Sequence, residues 1–132
     1  MKKLFPLALL AFAAPLAAAS APQHLAGVSD EETAVPAGGI MDFHRGNGDV
    51  LFVSDHSGHW YRLGLNEGCL RQSNRIGSIA FGIKDGVGRI DHFTTVLVRE
   101  VSGSRGFTCN VDSIRRSEAP PQINSKSPVT LD

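Results

Sequence analysis

The sequence predicts an all-β fold, a small antiparallel barrel or sandwich of about six short strands with one disulfide. Three observations lead to this prediction. The apolar runs are short and rich in β-branched and aromatic residues, which is typical of strands. Glycine-containing turns separate these runs, and the 132 residues include 14 glycines and 7 prolines. The only two cysteines, Cys69 and Cys109, leave a single intramolecular pairing.

Residues 1–19 are expected to be a secretory signal peptide. A basic start is followed by an apolar stretch over residues 4–16 and by alanines up to Ala19, which is the order typical of such peptides. We expect cleavage after Ala19, with Ser20 as the new first residue. An uncleaved membrane anchor is the alternative, but prolines interrupt the apolar stretch, and no later segment could span a bilayer. The twin-lysine start is typical of bacterial export, so we expect a periplasmic or secreted protein.

The charge balance excludes one large class of partner. The chain has 13 basic and 13 acidic residues, and removing residues 1–19 takes away two lysines and no acid, which leaves a net charge of −2. A general nucleic-acid binder needs a basic excess to neutralise phosphates, so none is expected. The apolar share of 42% is enough for a core, which excludes a wholly disordered chain.

The expected domain organisation has one folded unit between two irregular segments. Residues 20–38 show no hydrophobic period and are predicted to be a flexible leader. Residues 39–116 are predicted to form the single β domain. Residues 117–132 hold three prolines among scattered polar residues and are predicted to be an irregular C-terminal tail. A core of fewer than about 80 residues is marginal by itself, which favours a stabilising disulfide.

Six strands are predicted between the turns. In order, they cover residues 40–43, 50–53, 60–65, 76–83, 93–98 and 107–114. The second and third strands flank the turn Asp55–Gly58 and are predicted to form a hairpin. Alternation in the third strand predicts that Tyr61 faces the core, while Trp60 and Arg62 share the opposite face. One helical turn around Cys69 is predicted over residues 67–72.

The two cysteines are expected to form a structural disulfide. An even number of cysteines in an exported chain indicates a bridge. The Cys69–Cys109 bridge closes a loop of 40 residues, which is worth about 4 kcal/mol through the lowered entropy of the unfolded chain. A redox pair usually has the spacing C-x-x-C, and a metal site needs more ligands than lie beside either cysteine.

Several motifs between residues 40 and 121 stand in a recognisable order. They are the aromatic pair Trp60-Tyr61, the cysteines Cys69 and Cys109, the Asp91-x-Phe93 motif, and Pro120-Pro121. In these motifs the chain resembles a family of small exported bacterial proteins that is known only as a domain of unknown function. The resemblance implies a secreted or periplasmic domain bridged between the two cysteines. It implies no activity. No cofactor is predicted for the chain.

The turn after the second strand carries the strongest candidate metal ligands. His56 and His59 stand three residues apart beside Asp55, and imidazole with carboxylate suits Zn²⁺ or Cu²⁺. The alternative is a solvated polar turn, because an H-x-x-H motif in a loop is far weaker evidence than one on a helix. We therefore predict no metal site here and keep metal binding by these histidines as an alternative.

The pair Asp91-His92 is the strongest candidate for acid–base chemistry. Neighbouring residues on a strand point to opposite faces, so Asp91 is not expected to orient His92. Asp91 is expected to cap a turn or to pair with Arg75 or Arg89. The sequence also has neither a nucleophile elbow nor a phosphate-binding loop. No catalytic residue, and no enzyme, is predicted.

The face with Trp60 and Arg62 is the predicted binding surface, together with His56 and His59. Trp and Arg are enriched at the hot spots of protein interfaces, although a lone Trp also commonly covers a small core. We therefore expect a non-enzymatic exported domain that binds an envelope protein or a small ligand. The alternatives are a periplasmic metal-binding protein and a small inhibitor of an exported hydrolase that presents the turn Asp55–Gly58.

Overall fold

Seven antiparallel strands form a nearly closed barrel with one disulfide. The computed structural model describes residues 23–84, 86–103 and 105–132, so the predicted signal peptide lies outside the described residues. The strands are β1 (Val28–Glu32), β2 (Ile40–Arg45), β3 (Val50–Asp55), β4 (Trp60–Leu65), β5 (Ile76–Gly82), β6 (Thr95–Glu100) and β7 (Gly106–Ser117). One 3-10 turn, Cys69–Gln72, follows β4. The predicted all-β class and the predicted helical turn are confirmed.

The longest strand, β7, connects the two halves of the barrel. The strand order is β2-β3-β4-β7-β6-β5, and β1 also pairs with β7. The first part of β7 pairs with β6, and its second part pairs with β4 and β1. The register against β4 slips by one residue at Asp112, between Val111 and Ser113. Such a bulge bends a strand, which lets β7 belong to both halves.

The barrel core follows from strand alternation. Tyr61, Leu63 and Leu65 of β4 are buried, which confirms the predicted core face. They pack with apolar side chains of the other strands and of the 3-10 turn. The remaining buried members of this core are Val35, Leu51, Val53, Cys69, Leu70, Ile90, Val96, Val98, Cys109, Val111 and Ile114.

The predicted flexible leader, residues 20–38, is wrong over its second half. Residues 28–32 form β1, and Val35 is fully buried and exchanges two backbone hydrogen bonds with Ile90, at 2.9 and 3.0 Å. The acidic residues 30–32 gave no strand pattern in the sequence, because β1 pairs through its backbone while most of its side chains are exposed. The carboxylate of Glu32 accepts the N–H of Ile114 at 2.8 Å, in place of the backbone carbonyl that would accept it in a regular strand pair.

Two boundaries on the C-terminal side also differ from the prediction. The strand expected from Phe93 begins at Thr95, because Asp91 accepts hydrogen bonds from Phe93 and Thr94 and holds that segment as a turn. The last strand continues to Ser117. The tail beyond it is irregular, as predicted, but it packs against the barrel, and Val129 is buried.

The Cys69–Cys109 bridge is present, and a network of hydrogen bonds fixes its first cysteine. The carboxylate of Asp49 accepts the N–H groups of Gly68 at 2.7 Å and Leu70 at 3.0 Å. Arg45 donates to the carbonyl oxygen of Leu70 at 2.8 Å. The β2–β3 turn therefore clamps the 3-10 turn from one side, while the disulfide ties it to β7 from the other.

Replacing both cysteines with serine should lower the free energy of unfolding by about 4 kcal/mol, because the unfolded chain loses its 40-residue loop constraint. Urea unfolding measures the change, and a reductant should lower the midpoint of the wild type but not that of the double variant. Equal stability of the oxidised wild type and the double variant would contradict a stabilising bridge.

Candidate binding surface

A row of large side chains crosses four strands on the side of the sheet that faces away from the barrel core, here called the outer face. In register, these side chains are His44 of β2, Phe52 of β3, Arg62 of β4 and Arg115 of β7. The rings of His44 and Trp60 lie next to each other on this face, with centroids 5.9 Å apart. The predicted sharing of one face by Trp60 and Arg62 agrees with the alternating burial of β4.

The outer face carries an apolar surface of its own, separate from the barrel core. Val28, Val50, Phe52 and Trp60 form this surface, here called the outer groove. Phe52 is 0% exposed although it points away from the barrel core, because the end of the chain covers it through Val129. Leu25 and Leu131 pack against the same cluster. Trp60 therefore covers this outer cluster and is not among the residues of the barrel core.

Two arginines lie on the outer face, near the acidic residues Asp42 and Asp132. Arg62 is half-buried, and its Nε donates to the main-chain oxygen of Asp132 at 3.2 Å. Burial and the positive charge of Arg115 lower the pKa of Arg62, and Asp132 opposes that shift. Arg115 is 7% exposed and donates to the main-chain oxygen of Gln23 at 3.1 Å. An anionic group on a partner would be attracted to this pair.

The turn at the end of the β3–β4 hairpin has a rigid backbone. The N–H of Gly58 donates to the carbonyl oxygen of Asp55 at 3.1 Å, and the N–H of Asp55 donates to the carbonyl oxygen of His59 at 3.0 Å. Gly58 has a φ of 79°, a left-handed conformation that favours glycine. This is the three-residue hairpin loop in which a left-handed residue closes the turn.

Asp55 holds this turn through both of its carboxylate oxygens. Oδ1 accepts the N–H groups of Ser57 and His59, each at 2.9 Å. Oδ2 accepts the hydroxyl of Tyr61 at 3.3 Å and lies 3.4 Å from Nδ1 of His59. The carboxylate is buried and its acceptor capacity is used within the turn, so it is not free to bind a ligand.

The hydrogen bonds around Asp55 shift the titration of two groups. Burial raises the pKa of Asp55, but hydrogen bonds from His59 and Ser57, the nearby imidazole and the Tyr61 hydroxyl outweigh it and hold the pKa below 3.8. Burial, together with the negative charge of Asp55, raises the pKa of Tyr61, while Arg116, 5.4 Å from the ring centroid, opposes that rise. At neutral pH, the site holds a carboxylate and a neutral phenol.

The two histidines of the turn contact different neighbours. Both are exposed, and His59 faces Asp55, while His56 lies over Gly39, with Nε2 3.5 Å from the position of a Cβ on that glycine. Among the described residues, no group of three or more His, Cys, Asp or Glu side chains could hold a metal ion. Nothing in this part of the chain therefore supports the metal-binding alternative.

The Asp91-His92 segment forms a capped turn. The carboxylate of Asp91 accepts the N–H of Phe93 at 2.9 Å and the hydroxyl of Thr94 at 3.3 Å. The hydroxyl oxygen of Thr94 in turn accepts the N–H of Asp91 at 3.0 Å. This confirms the predicted capping role. The imidazole of His92 lies against the Phe93 ring, with centroids 4.0 Å apart.

The sequence analysis did not identify three contributors to the outer face. His44 and Arg115 join it only through the strand register, which pairs residues far apart in the sequence. The tail joins it through Val129 and Leu131. The signal that could have revealed the tail is its alternation of apolar and polar residues between Pro128 and Asp132, which is typical of an extended segment with one buried side.

No protein-family model, no curated protein and no solved structure matches the chain. The resemblance to a family of exported bacterial proteins therefore stays a prediction. In the described part of the chain, no helix has the length and apolar character needed to cross a membrane.

Replacing Asp55 with alanine should lower the free energy of unfolding by about 2–3 kcal/mol, because three donors lose a charged acceptor. Thermal or urea unfolding measures this loss. The control is Asp42→Ala, which removes an exposed carboxylate that also pairs with a histidine and should cost less than about 1 kcal/mol. Equal losses in the two variants would contradict the role assigned to Asp55.

The contribution of Asp55 should also depend on pH. Because its pKa is lower in the folded state, its stabilising effect should be complete above about pH 4, the ordinary range of an unfolded aspartate. The effect should be lost as the pH falls through the lower folded-state value. Urea unfolding of the wild type and of Asp55→Asn between about pH 7 and 2 should show a gap that narrows in acid. A constant gap would show that charge is not involved.

Proposed function

We propose that this chain is an exported, non-enzymatic domain that binds a protein of the bacterial envelope through its outer face. One observation carries the proposal: the half-buried side chains of Trp60 and Arg62 lie on one face, beside the nearly buried Arg115 and an apolar cluster outside the barrel core. Trp and Arg with a neighbouring apolar surface is the composition of interface hot spots. The disulfide suits a domain that works outside the reducing cytoplasm.

The shape of the described clefts favours a protein partner over a small ligand. Sites for small ligands are enclosed and mainly apolar. The clefts found among the described residues are open to the surface, as in the one between Arg75, Glu100 and Ser102. The outer face carries both apolar and charged groups, which suits a protein surface.

Inhibition of an exported hydrolase is a second candidate function, supported by the turn Asp55–Gly58. Asp55 fixes this turn, which leaves His56 and Ser57 exposed at its tip. A loop fixed before binding loses little conformational entropy when it binds. An inhibitor would present this tip to the enzyme, whereas the first proposal places the contact on the outer face.

Photo-crosslinking in the native host tests the proposed binding surface. A photoreactive residue replaces Asp42, which shares the outer face with Trp60, or Thr108, which is exposed on the other half of the barrel. We expect one discrete protein adduct from position 42, none from position 108, and loss of the adduct when Arg62→Gln is added. That substitution removes the charge of a half-buried side chain and leaves the apolar side chains of the outer groove unchanged.

The same experiment distinguishes the two candidate functions. No adduct at position 42, or equal adducts at both positions, would overturn the outer face as the binding surface. A third probe replaces His56, which is exposed at the tip of the hairpin turn. An adduct obtained only from this position, with loss of the captured protein's hydrolytic activity, would favour the inhibitor instead.

A further inference from the structure

The last residues of the chain lie along the outer groove as an extended segment. Val129 is 4% exposed and packs with the groove residues, and Leu131 is half-buried against the same cluster. Pro128, Thr130 and Asp132, the residues between and beside them, are exposed. Every second side chain therefore enters the groove, which is the pattern of an extended strand lying on a surface. Residues 127–132 are called the tail segment below.

Polar contacts fix the direction of the tail segment. The N–H of Asn47 donates to the carbonyl oxygen of Leu131 at 2.6 Å, and its side-chain amide donates to Oδ1 of Asp132 at 2.8 Å. Arg62 donates to the main-chain oxygen of Asp132. Gly46 lets the segment approach closely, because a Cβ there would lie 2.5 Å from the Leu131 oxygen. The groove thus recognises a backbone, two apolar side chains and an acidic end.

The tail segment is held by two apolar side chains and three hydrogen bonds, whereas a strand is held by a ladder of backbone hydrogen bonds. It pairs with no strand of the barrel. Its neighbours in the chain, residues 120–127, form short turns. Segments with few buried side chains and exposed hydrogen bonds open locally at free energies well below that of global unfolding. The tail segment therefore occupies the groove as a tethered ligand would, with an effective concentration on the order of millimolar.

We propose that the outer groove is a docking site for an extended segment of a partner protein, with the pattern apolar–x–apolar–acidic. The tail segment supplies the argument for this chemistry, because Val129, Leu131 and Asp132 fill the three positions within the chain itself. The tail segment fills the groove until such a partner displaces it. This inference rests on the proposed function, and it names the chemistry of the partner.

Peptide binding to the full chain tests the proposal. The probe is a synthetic peptide with the sequence of residues 127–132, and the fluorescence of Trp60, the only tryptophan, is the signal. In the variant Val129→Ser with Leu131→Ser, the tail loses its apolar anchors, so we expect saturable binding at least 10-fold tighter than to the wild type. The control peptide carries serine at the same two positions and should not bind.

Three results would overturn the proposal. The variant could stay folded and not bind the peptide, or both peptides could bind equally. The wild type could also form a dimer, detected by sedimentation, in which each copy's tail fills the groove of the other copy.

A measurement on the wild type covers the case in which the variant does not fold. The Asn47 amide is bonded to the tail, so its hydrogen exchange reports detachment. We expect exchange at least 10-fold faster than that of the Val53 amide in β3. Exchange of both amides at the same, slowest rate would mean that the tail leaves only on global unfolding, which overturns the proposal.

The outcomes also separate this proposal from the proposed function. Peptide binding without any adduct at position 42 in the host would support the groove as a docking site and contradict the proposed envelope partner. An adduct at position 42 with no peptide binding would support the proposed partner and contradict its recognition through an extended segment.

Discussion

The long, bent strand β7 is the constraint on which the rest of the fold depends. It pairs with β4, β6 and β1, so both halves of the barrel meet along it. A bulge at Asp112 interrupts its register with β4. Cys109 lies in its first half, and the disulfide therefore fixes the 3-10 turn to the strand that the two halves share. A bridge at this point stabilises the closure of the barrel in addition to shortening the unfolded chain.

Two aspartates use the same physical device at opposite ends of β3. Asp49 accepts two N–H groups beside Cys69, and Asp55 accepts two N–H groups in the hairpin turn. A carboxylate that accepts backbone donors satisfies groups that a short turn would leave unpaired, and the charge makes these bonds stronger than neutral ones. Such bonds let a domain with short strands keep defined turns, and one of those turns borders the proposed binding surface.

The sequence was sufficient to predict six of the seven strands but not β1 or the surface around the barrel. Alternation identified the core face of β4 because Tyr61, Leu63 and Leu65 are apolar, while Arg62 and Gly64 lie between them. It could not identify β1, whose acidic side chains are exposed while its backbone pairs with β7. The outer groove could not be predicted from the sequence either, because Val28, Val50 and Val129 are far apart in the chain and meet only when it folds.

The apolar run Val50–Val53 explains why the outer face needs a cover. Its side chains alternate, so Leu51 and Val53 enter the barrel core while Val50 and Phe52 point away from it. Leaving Phe52 in water would forgo roughly 2 kcal/mol of burial free energy. Val28 of β1, Trp60 and the tail segment belong to the cluster in which Phe52 is buried. The contacts of Val129 and Leu131 with the outer groove therefore stabilise the domain and at the same time keep the groove occupied. A partner segment must replace the burial that the tail gives up, so only a segment with comparable apolar side chains can take its place.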